Sequence, residues 1–248
     1  MDDSLDGKAA LVTGGARRVG AAIARRLHAA GAKVLLHYRD SEADAARLES
    51  ELNAARARSA AKVKAELLAP IAPRALVGTA IETFGRLDIL VNNASTFFPV
   101  PVGEIESSHW EELVGANLRA PLFISQQAAP ELAKNEGSIV NIVDIHAERP
   151  LKGYALYSVT KAALASLTRS LAIELAPRVR VNGVAPGAIA WPEDGQFEDA
   201  ERARIIATTP LGRVGSPQDI ARAVHFLACA PFVTGQILAV DGGRSIFI

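Results

Sequence analysis

Residues 8–38 read KAALVTGGARRVGAAIARRLHAAGAKVLLHY, and the order of residue types here decides the fold. Lys8–Thr13 has the short apolar composition of a buried strand. The glycine-rich GGARRVG follows, then a helical run from Ala21 that Gly31 closes, then Ala32–Tyr38 as a second apolar strand. Strand, tight glycine turn, helix and strand within about 30 residues make a βαβ unit, which requires parallel strands with a helix crossing over them.

The rest of the chain repeats that alternation. Residues 42–68 are rich in Ala, Glu, Arg and Leu, and propensity alone would draw one long helix there. A break near Arg58 and a third strand at Ala60–Ala65 restore the order a doubly wound sheet needs. After Pro70 and Pro73, RALVGTAIETFG predicts a helix closed by Gly85, and LDILVNNAS a fourth strand with its exit loop. Pro99 and Pro101 keep the following loop extended. Helical periodicity over His109–Leu132 contains Pro121, which predicts a kink there. Strand five at 138–143, a helix over Leu156–Leu175, strand six in VRVNGVA, a helix at Asp219–Ala228 and a last strand in QILAVDGG complete the series. Ala188–Thr209 is charged, lacks a sheet pattern and follows a strand's carboxyl end, where lids belong. No repeat or linker interrupts residues 1–248, so the expectation is one domain: an α/β, doubly wound parallel sheet of about seven strands with helices on both faces.

Composition narrows the function classes. The 248 residues are 49% hydrophobic, enough for one large core, and 27 basic residues balance 27 acidic ones. With no net field, neither nucleic acid nor a membrane surface is an expected partner. Cys229 is the only cysteine and the five histidines lack ligand spacing, so neither a disulfide framework nor a metal is expected. Cys229 reads as a buried spectator thiol, His146 and Glu148 as solvent-facing, and Glu174 as a helix-face charge. No signal peptide or bilayer-length apolar run is visible, which points to the cytoplasm.

Two places carry chemistry. In the first turn, Gly14 and Gly20 allow backbone to approach a pyrophosphate at a helix amino terminus. Arg17 adds a charge that a plain turn does not need, and Arg39, just past strand two, lies where an adenosine ribose would fall. Two guanidiniums favour the 2′-phosphate of NADP, whereas Asp40 would suit a free ribose diol. In SIVNIVDIHAERPLKGYALYSVTK (138–161), Asp144 ends a strand where open α/β sheets hold ligands. Thirteen residues on is Tyr157, and Lys161 lies four further along the same helical face. An ammonium beside a phenol lowers the phenol's pKa and makes it a proton donor near neutrality. Taken alone, such a pair is ordinary on an amphipathic helix; the order of the other segments changes that.

TGGARRVG, NNAS, Tyr157-Ser158-Val159-Thr160-Lys161 and Pro186-Gly187, in this order, make the chain resemble the short-chain dehydrogenase/reductase family over nearly its whole length. That resemblance implies a Rossmann domain, NADPH or NADP+ as cofactor, and assembly as a homotetramer or dimer. It implies Tyr157 as proton donor, Lys161 on the nicotinamide ribose, and Asn117 holding the central helix and a proton-relay water. Asn92, Asn93 and Ala94 would line the cofactor, with Pro186 and Gly187 bordering the nicotinamide. Val19, Tyr38, Ser41, Glu66 and Leu67 complete the expected cofactor wall.

Most members carry serine where this chain has Asp144. An ionised carboxylate cannot donate a hydrogen bond to a ketone oxygen, but it suits a ring nitrogen or amino group. The pteridine reductases of the family resemble the chain further, with a basic residue in the glycine turn, a relative of HYRDS, and an aromatic after NNAS. Their pattern implies Phe97 stacked on a pterin, Ser95 bonding pterin and cofactor phosphate, and Arg17 reaching both pterin and pyrophosphate. Trp191 in the lid could close the pocket. From the residues themselves, two adjacent aromatics in a proline-rich loop, Phe97 and Phe98, suit a planar heterocycle when aromatics are only 5% of the chain. Phe98 reads rather as a loop anchor.

The reading that follows is NADPH-dependent reduction of a dihydropterin of biopterin, monapterin or folate type, with hydride arriving at a ring C=N carbon and a proton from Tyr157. The alternatives are a 3-oxoacyl-thioester or other carbonyl reductase, which would call for serine at 144, and a cofactor-binding regulatory protein, which would not need Asn117, Tyr157 and Lys161 together.

Overall fold

A computed structural model describes residues 3–191 and 198–247. Its strands are β1 (Ala9–Val12), β2 (Lys33–Tyr38), β3 (Ala60–Lys64), β4 (Ile89–Asn92), β5 (Ser138–Ile142), β6 (Arg180–Pro186) and β7 (Ile237–Val240). All seven lie in one parallel sheet in the order β3-β2-β1-β4-β5-β6-β7. Chain order reverses between β1 and β4, so strand ends diverge there and leave a crevice at the carboxyl edge.

Side chains alternate across the sheet as the pleat demands. Ala10, Val12, Val34, Leu36, Ile89 and Val91 face one core layer with α1 (Arg18–Ala29), α2 (Glu42–Ala55) and α8 (Pro217–Cys229). Leu11, Leu35, Leu90 and Ile139 face the other with α3 (Ala72–Phe84), α5 (Ala120–Lys134) and α6 (Ala155–Glu174). Strands apolar on both faces are what two helical layers require.

The long Ala/Glu/Arg segment is divided where expected. Arg58 takes a left-handed φ of 56°, and Asn53 knits the turn by accepting from the Ser59 and Ala60 amides at 2.9 and 3.1 Å. The predicted kink at Pro121 takes a different form. α4 (Ser107–Val114) runs into a π-helical turn at Gly115–Arg119, and α5 begins after it, with Pro121 in its first turn. Pro121 has no N–H for the carbonyl of Asn117 four residues back, so the α ladder cannot continue through that turn. The charged segment 188–209 is partly helical: α7 (Asp199–Ala207) lies within it, while 192–197 fall outside the described residues. A short α9 (Arg244–Phe247) follows β7. Among the described residues, no helix is long and apolar enough to cross a membrane.

Candidate active site

Two adjoining cavities open at the carboxyl edge of the sheet. The larger, about 520 Å³, runs from the glycine turn across the end of β2 to α6. Of the residues expected around the cofactor, all but Asn92 line it: Gly14, Arg17, Val19, Gly20, Tyr38, Arg39, Asp40, Ser41, Glu66, Leu67, Asn93, Ala94, Ser95, Tyr157, Lys161, Pro186 and Gly187. Two of the turn's glycines exclude a side chain. Gly14 has φ +59°, and a Cβ on Gly20 would lie 2.1 Å from the Gly14 carbonyl oxygen. A cradle that a single Cβ would fill is what close approach of backbone to a pyrophosphate demands.

Partly buried Asn93 and buried His37 hold this cradle. Asn93 Nδ2 donates to the carbonyls of Thr13 and Gly14 at 2.9 and 3.1 Å, tying the turn to the β4 exit loop. His37, unremarked in the sequence, accepts from the Gly14 amide through Nδ1 at 3.1 Å, while its Nε2 faces the Ala65 carbonyl at 3.1 Å. Burial lowers its pKa, and the neutral tautomer protonated at Nε2 satisfies both bonds. Asn92, expected beside the cofactor, is instead buried in the sheet, with Nδ2 on Asn141 Oδ1 at 2.8 Å. At the ribose end Arg39 pairs with Asp40 at 2.7 Å, both exposed, so the two charges expected to compete for cofactor type neutralise each other.

The smaller cavity, about 210 Å³, shares a wall with the first through Arg18, Phe97, Asp144, Tyr157, Gly187 and Ile189. β5 delivers Asp144 just past its end, and α6 brings Tyr157 to it. Tyr157 Oη donates to Asp144 Oδ2 at 2.8 Å. Lys161, 2% exposed, donates from Nζ to the Ile142 carbonyl at 3.0 Å and stands 5.7 Å from the centre of the Tyr157 ring. The expectation that lysine lowers the phenol's pKa does not hold here. Burial, then the Asp144 charge, then the hydrogen bond to it, push Tyr157 well above 10. Burial also brings Lys161 down to about 8, against the opposing pull of Asp144.

Asn117 sits in the π turn, 1% exposed. Its Oδ1 accepts from Ser95 Oγ at 2.8 Å and the Thr96 amide at 2.9 Å. Its Nδ2 donates to the Thr96 carbonyl at 3.0 Å and Thr160 Oγ1 at 3.2 Å. All four hydrogen-bonding places of the amide are filled. Asn117 therefore locks the β4 exit loop to α6 as expected, but its side chain has nothing left for a relay water.

Phe97, expected to stack on a planar substrate, lies on both cavities. Tyr154 stacks on it at 4.6 Å with 15° between planes, and Tyr157 meets it edge-on at 4.7 Å. Sequence reasoning passed over Tyr154, although it precedes Tyr157 by three residues and is one of only three tyrosines. Phe98 is turned away, against His109 at 6.0 Å, in keeping with an anchor.

Two residues are expected on both substrate and cofactor. Arg17 and Ser95 line only the larger cavity. Arg17, in extended conformation before α1, reaches Asp44 of α2 at 3.5 Å. Arg18, with φ +48°, turns the other way and donates to the Ala190 carbonyl at 3.0 Å, lining both cavities. His146, expected in solvent, is half-buried on the smaller cavity because Asp144 caps its short 3-10 turn through the His146 amide at 2.8 Å. Cys229 is only partly buried. Trp191 lines the smaller cavity and carries the Arg202 guanidinium 5.5 Å from the centre of its ring.

Known proteins resemble the chain over its full length. A family described as enoyl-(acyl carrier protein) reductase matches residues 14–245. Pteridine reductase 1 of Leishmania tarentolae is 39% identical, covering 99% of each chain. 3beta-Hydroxysteroid dehydrogenase 1 of Eggerthella lenta is 36% identical, covering 100% of this chain and 97% of its own. Among solved structures, a blue fluorescent protein from a metagenomic library, crystallised with NADPH, superposes with a TM-score of 0.90 at 39% identity, covering 97% of this chain and 99% of its own. With the parallel sheet, the glycine cradle and the Tyr157–Lys161 pair already in place, these matches show that the chain belongs to the short-chain dehydrogenase/reductase family of NAD(P)-dependent oxidoreductases.

Proposed function

We propose that the protein reduces a dihydropterin to its tetrahydro form with NADPH. The observation that carries this reading is Asp144: a carboxylate at the end of β5, bonded by Tyr157 Oη at 2.8 Å, on a cavity walled by Phe97. A carboxylate there accepts from ring N–H and exocyclic amino groups, and would repel rather than polarise a ketone oxygen. The similarity to pteridine reductase 1 supports the same reading.

NADPH fits the larger cavity through the glycine cradle, with Arg17, Arg39 and Ser41 near the adenosine end, and the NADPH-bound relative supports that choice over NADH. When bound, the cofactor supplies the hydride. Lys161 would hold the nicotinamide ribose. Tyr157, its pKa raised, keeps its proton at neutral pH and is the donor to the substrate ring nitrogen. Asp144 orients that phenol and the pterin's own donors, Phe97 stacks against the ring, and Trp191 covers the outer side. Asn117 keeps the Phe97 loop in register with α6. We further propose a single domain over residues 1–248, since one sheet takes in every strand among the described residues, and a homotetramer, which light scattering would test.

A second reading, carbonyl reduction, draws support from the steroid dehydrogenase relative. Asp144 weighs against it. Steady-state oxidation of NADPH and NADH with dihydrobiopterin, dihydrofolate and an acetoacetyl thioester separates the two. Turnover is expected with a pterin and NADPH; turnover with the thioester alone would overturn the proposal.

A further inference from the structure

The smaller cavity does not end at Trp191. Beyond it the wall is built by Glu201, Arg204 and Ile205 of α7 and by Arg244 at the start of α9. Arg244 is 8% exposed, and its Nη1 donates to the Ile205 carbonyl at 3.1 Å and to the Thr208 hydroxyl. Both acceptors are neutral, so the buried guanidinium is fixed in place without being neutralised. Arg204 is exposed, and among the described residues its guanidinium makes no hydrogen bond or ion pair. The two cations stand close enough to repel, since Arg204 adds to burial in lowering the Arg244 pKa, while Asp241 opposes them. A third guanidinium, Arg18, lines the same cavity but is committed to Ala190. The carboxylates on this lining are Asp144, engaged at the inner end by Tyr157, and Glu201, which forms no ion pair with either arginine among the described residues.

Like charges lining one cavity raise each other's energy. An anion between them relieves it and gains charge-assisted hydrogen bonds in a partly desolvated place. We propose that Arg204 and Arg244 form a subsite for an anionic tail, so that the pocket selects substrates whose reducible group carries a carboxylate or phosphate arm over those with a neutral arm. This rests on the reductase reading of the pocket and narrows it: of the pterins, a glutamyl-conjugated one is preferred to one with a hydroxylated alkyl chain. The same chemistry would also serve the phosphates of a coenzyme A thioester.

The experiment measures KM for two matched pairs with wild type, Arg204→Ala, Arg204→Glu and Arg204→Lys. One pair is dihydrofolate and dihydrobiopterin; the other is acetoacetyl coenzyme A and acetoacetyl N-acetylcysteamine. Arg204 is exposed on α7, so its variants fold, whereas Arg244 variants need not. The ratio of anionic to neutral KM is expected to rise about five- to tenfold in Arg204→Ala, as for a partly screened charge contact, further in Arg204→Glu, and little in Arg204→Lys. Added salt should raise the same ratio in wild type. Pterin turnover with a ratio that Arg204 does not move would overturn the subsite and leave the proposed function standing. Thioester turnover with a ratio that moves would keep the subsite and remove the pterin reading. No turnover of any of the four would remove both.

Discussion

Lys161→Met isolates the energetics of the buried ammonium. Lys161 is 2% exposed, and burial brings its pKa from 10.5 down to about 8. At about 1.36 kcal/mol per unit, holding the charged form in the fold rather than in water costs about 3 kcal/mol. The sign follows from proton counts. Between pH 8 and 10.5 the unfolded chain keeps this proton while the folded chain has lost it, so wild-type stability rises with pH through that window. Below pH 8 both states are protonated and the full penalty is present. Methionine fills the lysine stem's space, carries no charge, and leaves the Ile142 carbonyl without its Nζ donor, a loss of about 1–3 kcal/mol that does not depend on pH. At pH 7 the variant should therefore be as stable as wild type or better by up to about 2 kcal/mol, although inactive. From pH 8 to 10.5 wild type should gain about 3 kcal/mol on it. Urea midpoints of both proteins, without cofactor, at several pH values between 6 and 10.5 check this, since other titrating groups cancel in the difference. Parallel stability curves would refute the reasoning, because a lysine with an unshifted pKa would show no gain in this window.

Three further outcomes follow from the same geometry. Tyr157→Phe deletes the hydroxyl that bonds Asp144 and should reduce turnover by about 10²–10⁴-fold, with NADPH binding kept within a few-fold by fluorescence titration. Asp144→Ser removes both the charge and the acceptor that help to raise the Tyr157 pKa, so that pKa should fall, pterin kcat/KM should drop about 10- to 100-fold, and ketone reduction should gain; unchanged pterin turnover would show that the carboxylate does not orient the substrate. Gly20→Ala puts a Cβ 2.1 Å from the Gly14 carbonyl oxygen, so the turn must open: NADPH affinity should fall at least tenfold in titration, and the melting temperature should drop with it.

The sheet was legible because its information is local. Apolar runs of strand length alternate with helical runs, and glycines or prolines mark the joints, so even the division of residues 42–68 near Arg58 could be drawn from the pattern. α7 was not legible, because its polar residues bury only Ile205 and carry no periodic stripe. The break before Pro121 was foreseen, but the π turn was not. A proline shows that a donor is missing, whereas how the preceding turn adjusts depends on Asn117 being held by Ser95, Thr96 and Thr160 from elsewhere in the fold.

The site shows the same division between residue identity and residue environment. Spacing brought Asp144, Tyr157 and Lys161 to one place, because strand end and helix face are local properties. Spacing could not tell Arg17 from Arg18, whose side chains diverge only because Arg18 takes a left-handed φ where α1 begins. Nor could it give the direction of the tyrosine shift. A lysine four residues on lowers a phenol's pKa when water surrounds both, but here the phenol is 4% exposed and its nearest charge is the carboxylate it bonds at 2.8 Å, with the ammonium turned to the Ile142 carbonyl. Burial and the adjacent negative charge both favour the protonated phenol, so the distant cation loses. The tyrosine therefore stands as a held proton rather than a poised phenolate. That state suits delivery of a proton to the group left basic by hydride transfer rather than abstraction of one from an alcohol, and it ties the proposed direction of the reaction to the physics of one buried hydroxyl.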